Sequence, residues 1–428
     1  MRRVFALVDC NNFYVSCERA FNVAIRQRTI TGLSNNDSCV VARSNEVKAL
    51  GIKMGTPLFQ IRHLVEQHHI LLFSSNYTLY ADLSNRVMTA LATFSPLVEV
   101  YSIDEAWLDL THIQEERLHA YGHLIRATVL QRVGIPVSVG IAPTKTLTKI
   151  ATEIVKKRHE YRGVLSLVAL SQQQLDLYLS DVAIEDVWGI GPRYARFLHD
   201  HRLLTARYLK DADLFWIRKH LTVVGERTVL ELRGIACLPL VTKAKPRKGI
   251  MHAKSFGRPL ELLEELEEAV ATYTARVAEK LRKQGSVAAS INVFLHTNQF
   301  HLDQPQYAND ASRVIHVPTA FTPDLIGHAI VLLRGIFREG YKYKKAGVFL
   351  TRITPQAHLQ CDLFGDVTVE QQQKKVRLMQ VVDAINHHLG QDTIFFGAQV
   401  RTRAWQMRQE RRSPRYTTRW QELLEVSV

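Results

Sequence analysis

Residues 98–110 read Val-Glu-Val-Tyr-Ser-Ile-Asp-Glu-Ala-Trp-Leu-Asp-Leu. Val98 and Val100 alternate with Glu99, the period of a half-buried strand, and 106–110 is a second apolar run. A bend at 102–105 would make the two arms a hairpin with the adjacent acids Asp104 and Glu105 at its tip, whereas on one flat strand they would point to opposite faces. Upstream, Val-Phe-Ala-Leu-Val at 4–8 ends in Asp9, the pattern of a buried strand that delivers a carboxylate at its C-terminal end. Downstream, a strand over 137–141 precedes a turn at Pro143 and a helix over 146–157. Strands interleaved with helices predict an α/β sheet domain reaching about residue 166, with an insertion at 13–77 large enough to form a subdomain.

If Asp9, Asp104 and Glu105 converge, they repel one another. Hard divalent cations, Mg2+ above all, relieve such repulsion, with oxygen ligands and substrate phosphates completing the shell. Two such ions about 4 Å apart support in-line phosphoryl displacement. Solvated acids at strand ends fit the same spacing. Gly140 to Thr146 superficially suggests a phosphate-binding loop, but no glycine precedes Lys145 and the spacing is one residue short, so an ATPase reading is discarded.

Past residue 166 the pattern changes to short helices, at 175–179, 194–201 and 223–233, around Trp188-Gly189-Ile190-Gly191-Pro192. Here two glycines allow a tight turn and Pro192 suits a first helical position. Lys243, Lys245, Pro246, Arg247, Lys248 and Gly249 read as a basic linker. Residues 251–355 then read β-α-β-β-α-β, with strands near 251–256, 287–296, 313–317 and 346–351 and helices over 261–283 and 324–338. That is a four-stranded sheet with two helices on one face, an α+β domain. The remainder holds a helix over 371–388, a strand-like 393–396 and a basic run over 401–419.

A chain of 428 residues suggests about three domains. With 46% hydrophobic and 22% charged residues it is neither disordered nor collagen-like. Fifty-five Lys and Arg against 41 Asp and Glu leave +14, which suits a polyanionic partner. The five cysteines are scattered without a CxxC pair, so neither a disulfide framework nor a zinc site is expected. Asp9 interrupts the only signal-like start, and no run of about 18 apolar residues occurs. A cytoplasmic protein with no membrane span is expected.

Four segments resemble, in order and spacing, the Y-family DNA polymerases: Phe5-Ala6-Leu7-Val8-Asp9 with Phe13-Tyr14, Val41-Ala42-Arg43 through Lys48 to Gly55, Tyr101-Ser102-Ile103-Asp104-Glu105-Ala106, and Val139 to Lys145. Leu33-Ser34-Asn35-Asn36-Asp37, Phe73-Ser74-Ser75-Asn76-Tyr77 and the tail Ser413 to Arg419 resemble the UmuC-type branch, the catalytic subunits of bacterial DNA polymerase V and their plasmid-borne relatives. The resemblance spans essentially all 428 residues. It implies a right-hand polymerase: palm at 1–12 and 78–166, fingers at 13–77, a small helical thumb with a helix-hairpin-helix at 167–238, a basic linker at 239–250, a βαββαβ little finger at 251–355, and a partner-binding region at 356–428.

Carried over by position, the resemblance makes Asp9, Asp104 and Glu105 the catalytic carboxylates for two Mg2+ ions, with the backbone carbonyl of Cys10 as a further ligand. The family usually has an aromatic at the Cys10 position, a departure that touches only the side chain. Tyr14 matches the steric gate that excludes a ribose 2′-hydroxyl, and Phe13 would lie beneath the incoming sugar. Lys48, Lys156 and Arg43 fall where relatives contact the dNTP triphosphate. Gly189 and Gly191 would bind a phosphate through helix-start N–H groups, with Lys243, Lys245, Arg247 and Lys248 adding phosphate contacts. Gln360, Leu363 and Phe364 resemble the peptide that docks bacterial polymerases on the sliding clamp, an apolar anchor pair oriented by an amide.

The implied activity is error-prone translesion synthesis on primed DNA in the SOS response, with a processed UmuD-type dimer, RecA-ATP and the clamp as partners. A non-synthesising DNA-binding accessory factor that displaces the replicative polymerase is the alternative. A nucleotidyl cyclase on a similar sheet leaves 167–355 without a purpose.

Overall fold

The computed structural model describes residues 3–301, 303–358, 368–399 and 405–424. The chain divides into two compact units, one of residues 1–34, 38–244 and 411–428, the other of 35–37 and 245–410.

In the first unit, β1 (Phe5–Cys10) leads into α1 (Phe13–Phe21). The 13–77 insertion carries its own three-stranded sheet of β2 (Ile30–Leu33), β3 (Val40–Arg43) and β4 (Leu71–Ser74), in the order β3-β2-β4, with helices α2 (Asn45–Ala49) and α3 (Arg62–Gln67). Next come α4 (Tyr77–Leu91), the hairpin of β5 (Val98–Val100) and β6 (Glu105–Asp109), α5 (Leu118–Val133), β7 (Val137–Ala142), α6 (Lys145–Lys157) and β8 (Val164–Ser166). The main sheet has the order β5-β6-β1-β7-β8.

β1 is central and pairs antiparallel with both β6 and β7. It reads as a continuous apolar run because both faces are covered. Ala6, Val8 and Cys10 join a core with Leu79, Leu83 and Val87 of α4 and Ile125 and Val129 of α5, while Phe5 and Leu7 pack with Trp107 on the other face. By the two-residue period Asp9 falls on the Phe5 and Leu7 face. Helix α6 crosses against β7, and Gly140 permits the close approach: a Cβ there would fall 2.6 Å from the Thr152 amide nitrogen. The glycine that resembled part of a phosphate loop is thus a packing residue.

Helices α7 (Gln172–Ser180), α8 (Pro192–Asp200), α9 (Ala206–Asp211) and α10 (Leu214–Leu232) follow. α9 was not expected from the sequence. α10 starts well before the expected 223, because the Asp213 carboxylate caps it from the Trp216 N–H at 2.7 Å and the left-handed Thr222 (φ 65°) kinks the helix without ending it. Trp188 sets its ring 5.3 Å from Trp107, tying this helical region to the sheet.

The second unit contains β9 (Ile250–Leu260), α11 (Leu263–Lys283), β10 (Ser286–Thr297), β11 (Ala308–Thr319), α12 (Thr322–Ile336) and β12 (Tyr343–Pro355). Its antiparallel sheet has the order β11-β10-β12-β9. This is the expected βαββαβ domain, followed by α13 (Val369–His388). The strand-like 393–396 is not a strand. Its backbone is taken up by a side chain instead, since the Asn386 amide bonds both the N–H and the C=O of Ile394 at 2.8 Å. Among the described residues no helix is long and apolar enough to cross a membrane.

Replacing Gly140 by Val should destabilise the first unit by about 3 kcal/mol, because the added side chain meets the backbone of α6 at Thr148 and Thr152 as well as the Thr152 hydroxyl. Urea unfolding would show it as a lowered midpoint; an unchanged midpoint would mean α6 can shift away from β7.

Candidate active site

The hairpin places its acids as its sequence suggested. β5 and β6 end at Val100 and Glu105, and Asp104 lies in the bend between them. In the β1–β6 register Asp9 stands directly opposite Glu105, so two carboxylates from neighbouring strands share one spot on the sheet. They hydrogen-bond one another, and burial is the largest influence on Asp9, pushing its carboxyl up to about 7. Burial works against Glu105 too, but its bonds to Asp9 and Lys149 hold it below the usual carboxylate range. Asp104 lines the same cavity as Asp9 and Glu105, its carboxylate accepting from the Ser102 hydroxyl. Among the described residues no three His, Cys, Asp or Glu side chains already gather closely enough to hold a metal ion.

One helix supplies the countercharge. Lys145, Lys149 and Lys156 are spaced four and seven apart, so one face of α6 carries all three. Lys156 bonds Asp9 at 2.6 Å, Lys149 pairs with Glu105, and Lys145 pairs with the buried Glu99 of β5. Three acids on the adjacent strands β1, β6 and β5 are thus matched by one lysine row. Lys145 and Lys149 were not singled out as ion-pair partners from the sequence; the helical spacing of the lysines was the available signal, but their acids come from three other segments.

The acids open onto a cavity of about 740 Å3 lined also by Cys10, Phe13, Tyr14, Arg43, Lys48 and Lys156. Arg43, Lys48 and Lys156 lie close enough that burial first, and then the other two cations, lower the Lys48 pKa. Arg43 donates to the Ile52 carbonyl at 2.7 Å, and its buried Nε has no protein partner among the described residues. The cavity therefore has an acidic edge and a cationic wall. Arg126, His159 and Arg162, which also line it, were not foreseen.

Tyr14 is half-buried and faces the cavity, stacked at 4.4 Å on Tyr80 with Tyr77 edge-on at 6.0 Å. Phe13 is only 4% exposed and belongs mainly to the sheet core. Asn12, at φ 47°, starts α1 in the left-handed region and reaches Asn45 at 3.0 Å.

The other expected positions lie elsewhere. Gly189 takes φ 93°, Gly191 caps α8 and Pro192 is its first residue, the turn expected of them. Lys243, Lys245, Arg247 and Lys248 are exposed. Gln360, Leu363 and Phe364 lie outside the described residues.

Residues 8–153 match the impB/mucB/samB family and 247–363 its C-terminal domain. The chain is 43% identical to Protein UmuC of Salmonella typhimurium, over 99% of this chain and all of the relative. This chain belongs to the UmuC-type branch of the Y-family DNA polymerases. Its membership makes it a DNA-directed DNA polymerase and carries translesion synthesis as the function. Protein SamB of Salmonella typhimurium is 40% identical over 98% of this chain and 99% of its own length. A polymerase named DNA polymerase IV from Moorella thermoacetica is 27% identical over 91% and 94%. Among solved structures, the Y-family DNA polymerase chimera Dbh-Dpo4(243-245)-Dbh shares the right-hand fold, with a TM-score of 0.66 at 20% identity over 82% of this chain and 99% of that one. Residues 376–426 match a domain of unknown function, DUF4113.

The Asp9 shift sets a pH dependence. The unfolded carboxyl loses its proton near 3.8 while the folded one keeps it to about 7, so between those values the folded state binds more protons and stability falls as pH rises. In chelator-treated protein the free energy of unfolding should drop by an amount on the order of a few kcal/mol from about pH 4 to 7. Asp9→Asn should flatten that slope in urea titrations. Glu105 acts in the opposite sense only below 4.5, so it opposes the Asp9 slope only at the acidic end of this window.

Proposed function

We propose that this polymerase extends a primer past damaged template bases by nucleotidyl transfer in the SOS response, and that the cavity edged by Asp9 and Glu105 is where it does so. The observation that carries the reading is that those acids and the cations Arg43, Lys48 and Lys156 line one cavity. The donor set fits a hard divalent cation: two facing carboxylates, Asp9 and Glu105, with Asp104 lining the same cavity. When bound, two Mg2+ ions held by Asp9, Asp104, Glu105 and the Cys10 carbonyl would supply charge neutralisation at the reacting phosphate.

The chain's own residues do the rest. Lys48, Lys156 and Arg43 hold the triphosphate of the incoming dNTP, leaving Lys156 to exchange its ion pair with Asp9 for a phosphate contact. The Tyr14 ring closes the space a 2′-hydroxyl needs, and Phe13 supports it from the core. We assign palm to 1–12 and 78–166, fingers to 13–77, thumb to 167–238, linker to 239–250, little finger to 251–355 and partner binding to 356–428. Gly189, Gly191, Lys243, Lys245, Arg247 and Lys248 would grip phosphates of the primed duplex, and Gln360, Leu363 and Phe364 the sliding clamp. A processed UmuD-type dimer and RecA-ATP complete the assembly, in the cytoplasm.

Primer extension over an abasic site, with Mg2+, dNTPs and these partners, should be lost in Asp104→Asn while DNA binding persists. Extension unaffected by this change would remove the acids from the chemistry; no extension by the wild-type assembly despite DNA binding would favour the accessory-factor alternative. If about six to ten phosphates are contacted, DNA affinity should fall on the order of a thousandfold or more between roughly 50 and 200 mM salt. A flat salt response in fluorescence anisotropy would contradict extensive backbone contact.

A further inference from the structure

The Tyr14 ring does not stand alone. It lies nearly parallel to Tyr80, with an interplanar angle of 17°. Tyr80 is fully buried and donates its hydroxyl to Glu18 at 2.7 Å. Tyr14 and Glu18 are four residues apart on α1, so Tyr80 braces one face of that helix at two points, ring to ring and hydroxyl to carboxylate.

Glu18 is 3% exposed and has no cation among its bonded partners in the described residues. Its second donor comes from the far end of the chain, the Ser413 hydroxyl at 3.0 Å. The same serine is held by Asn76, whose amide donates to the Ser413 oxygens at 3.0 Å and to the Pro414 carbonyl at 3.2 Å. Asn76 in turn caps α4, the helix that carries Tyr77 and Tyr80. Ser74 and Arg411 exchange hydrogen bonds at 3.0 Å, and Tyr416 stacks on Phe21 at 4.8 Å. Residues 411–416 are therefore fastened to the elements that hold Tyr14.

We propose that Ser413 is a positioning residue for Tyr14: through Glu18 and Asn76 it fixes Tyr80, the ring on which Tyr14 rests, and so sets how strictly the site rejects a ribonucleotide. A buried carboxylate that loses one of its two donors is left under-satisfied, and with Ser413 gone the Tyr80 hydroxyl is the bonded partner left to follow it as it shifts. Movement of that ring releases Tyr14 from its stack. The inference rests on reading Tyr14 as the sugar gate.

The test is the ratio of kcat/KM for a deoxynucleoside triphosphate to that for its ribonucleotide, on undamaged primed DNA, with the full chain and its proposed partners. Tyr14→Ala comes first: retained discrimination there overturns the gate reading and this proposal together. With discrimination lost in Tyr14→Ala, Ser413→Ala should lower the ratio about threefold to tenfold, the range set by one or two lost hydrogen bonds, mainly through a lower KM for the ribonucleotide. Ser413→Thr, which keeps the hydroxyl, should restore it. In the Tyr14→Ala background Ser413→Ala should add nothing. An unchanged ratio in Ser413→Ala, or an equal further loss in the double variant, overturns the proposal while leaving the gate reading intact. Should Ser413→Ala fold poorly, Glu18→Gln decides in the same assay, with a lowered ratio expected and an unchanged one contrary.

Discussion

A carboxylate buried on a sheet face is costly unless positive charge, a proton or hydrogen-bond donors reach it, and three such acids on adjacent strands dictate much of the first unit. Asp9, Glu105 and Glu99 come from β1, β6 and β5, and each is met by a lysine from one face of α6. The helix can reach them because Gly140 lets it lie close against β7, and because the Trp107 indole N–H is satisfied by Thr148 of that helix at 2.8 Å. The core would be packed as well by an apolar helix face. The lysine row is there for the acids, and the acids are poorly placed for anything but a cation or a substrate that brings one.

The ion pairs differ in what they leave available. Lys145 and Glu99 are buried together, and Glu99 also accepts from the Val241 N–H at 2.7 Å, which anchors the start of the linker region. That pair holds the fold. Asp9, Glu105 and Lys156 instead open to the cavity, where Arg43 and Lys48 add cations without matching acids of their own in it. A site that keeps cations with no acid of their own beside its paired acids is incomplete by itself, and a metal-bound triphosphate has the charge pattern that completes it.

Some of this was legible in the sequence. The hairpin tip at Asp104 and Glu105, the strand ending at Asp9 and the βαββαβ order each follow from local periodicity, which is why they appear where expected. The sequence reading began this helix at Val223, but its start is fixed earlier by the Asp213 cap, and the kink at Thr222 does not end it. The 393–396 segment has β-forming residues, yet an asparagine on the preceding helix takes its backbone bonds. Local propensity cannot register a competing side chain.

The sequence by itself determined the catalytic-sheet strands, the βαββαβ order and where carboxylates and lysines sit along them, because strand and helix periods are properties of short stretches. Only the tertiary structure decided which of them meet. Phe73 to Tyr77 and Ser413 to Arg419 were two separate signatures of the UmuC-type branch, and nothing in either pointed to the other. In the folded chain Ser74 and Asn76 hold Arg411, Ser413 and Pro414, across more than three hundred residues of sequence. Such pairings depend on buried hydrogen bonds between distant segments, whose partners are chosen by the packing of the whole unit.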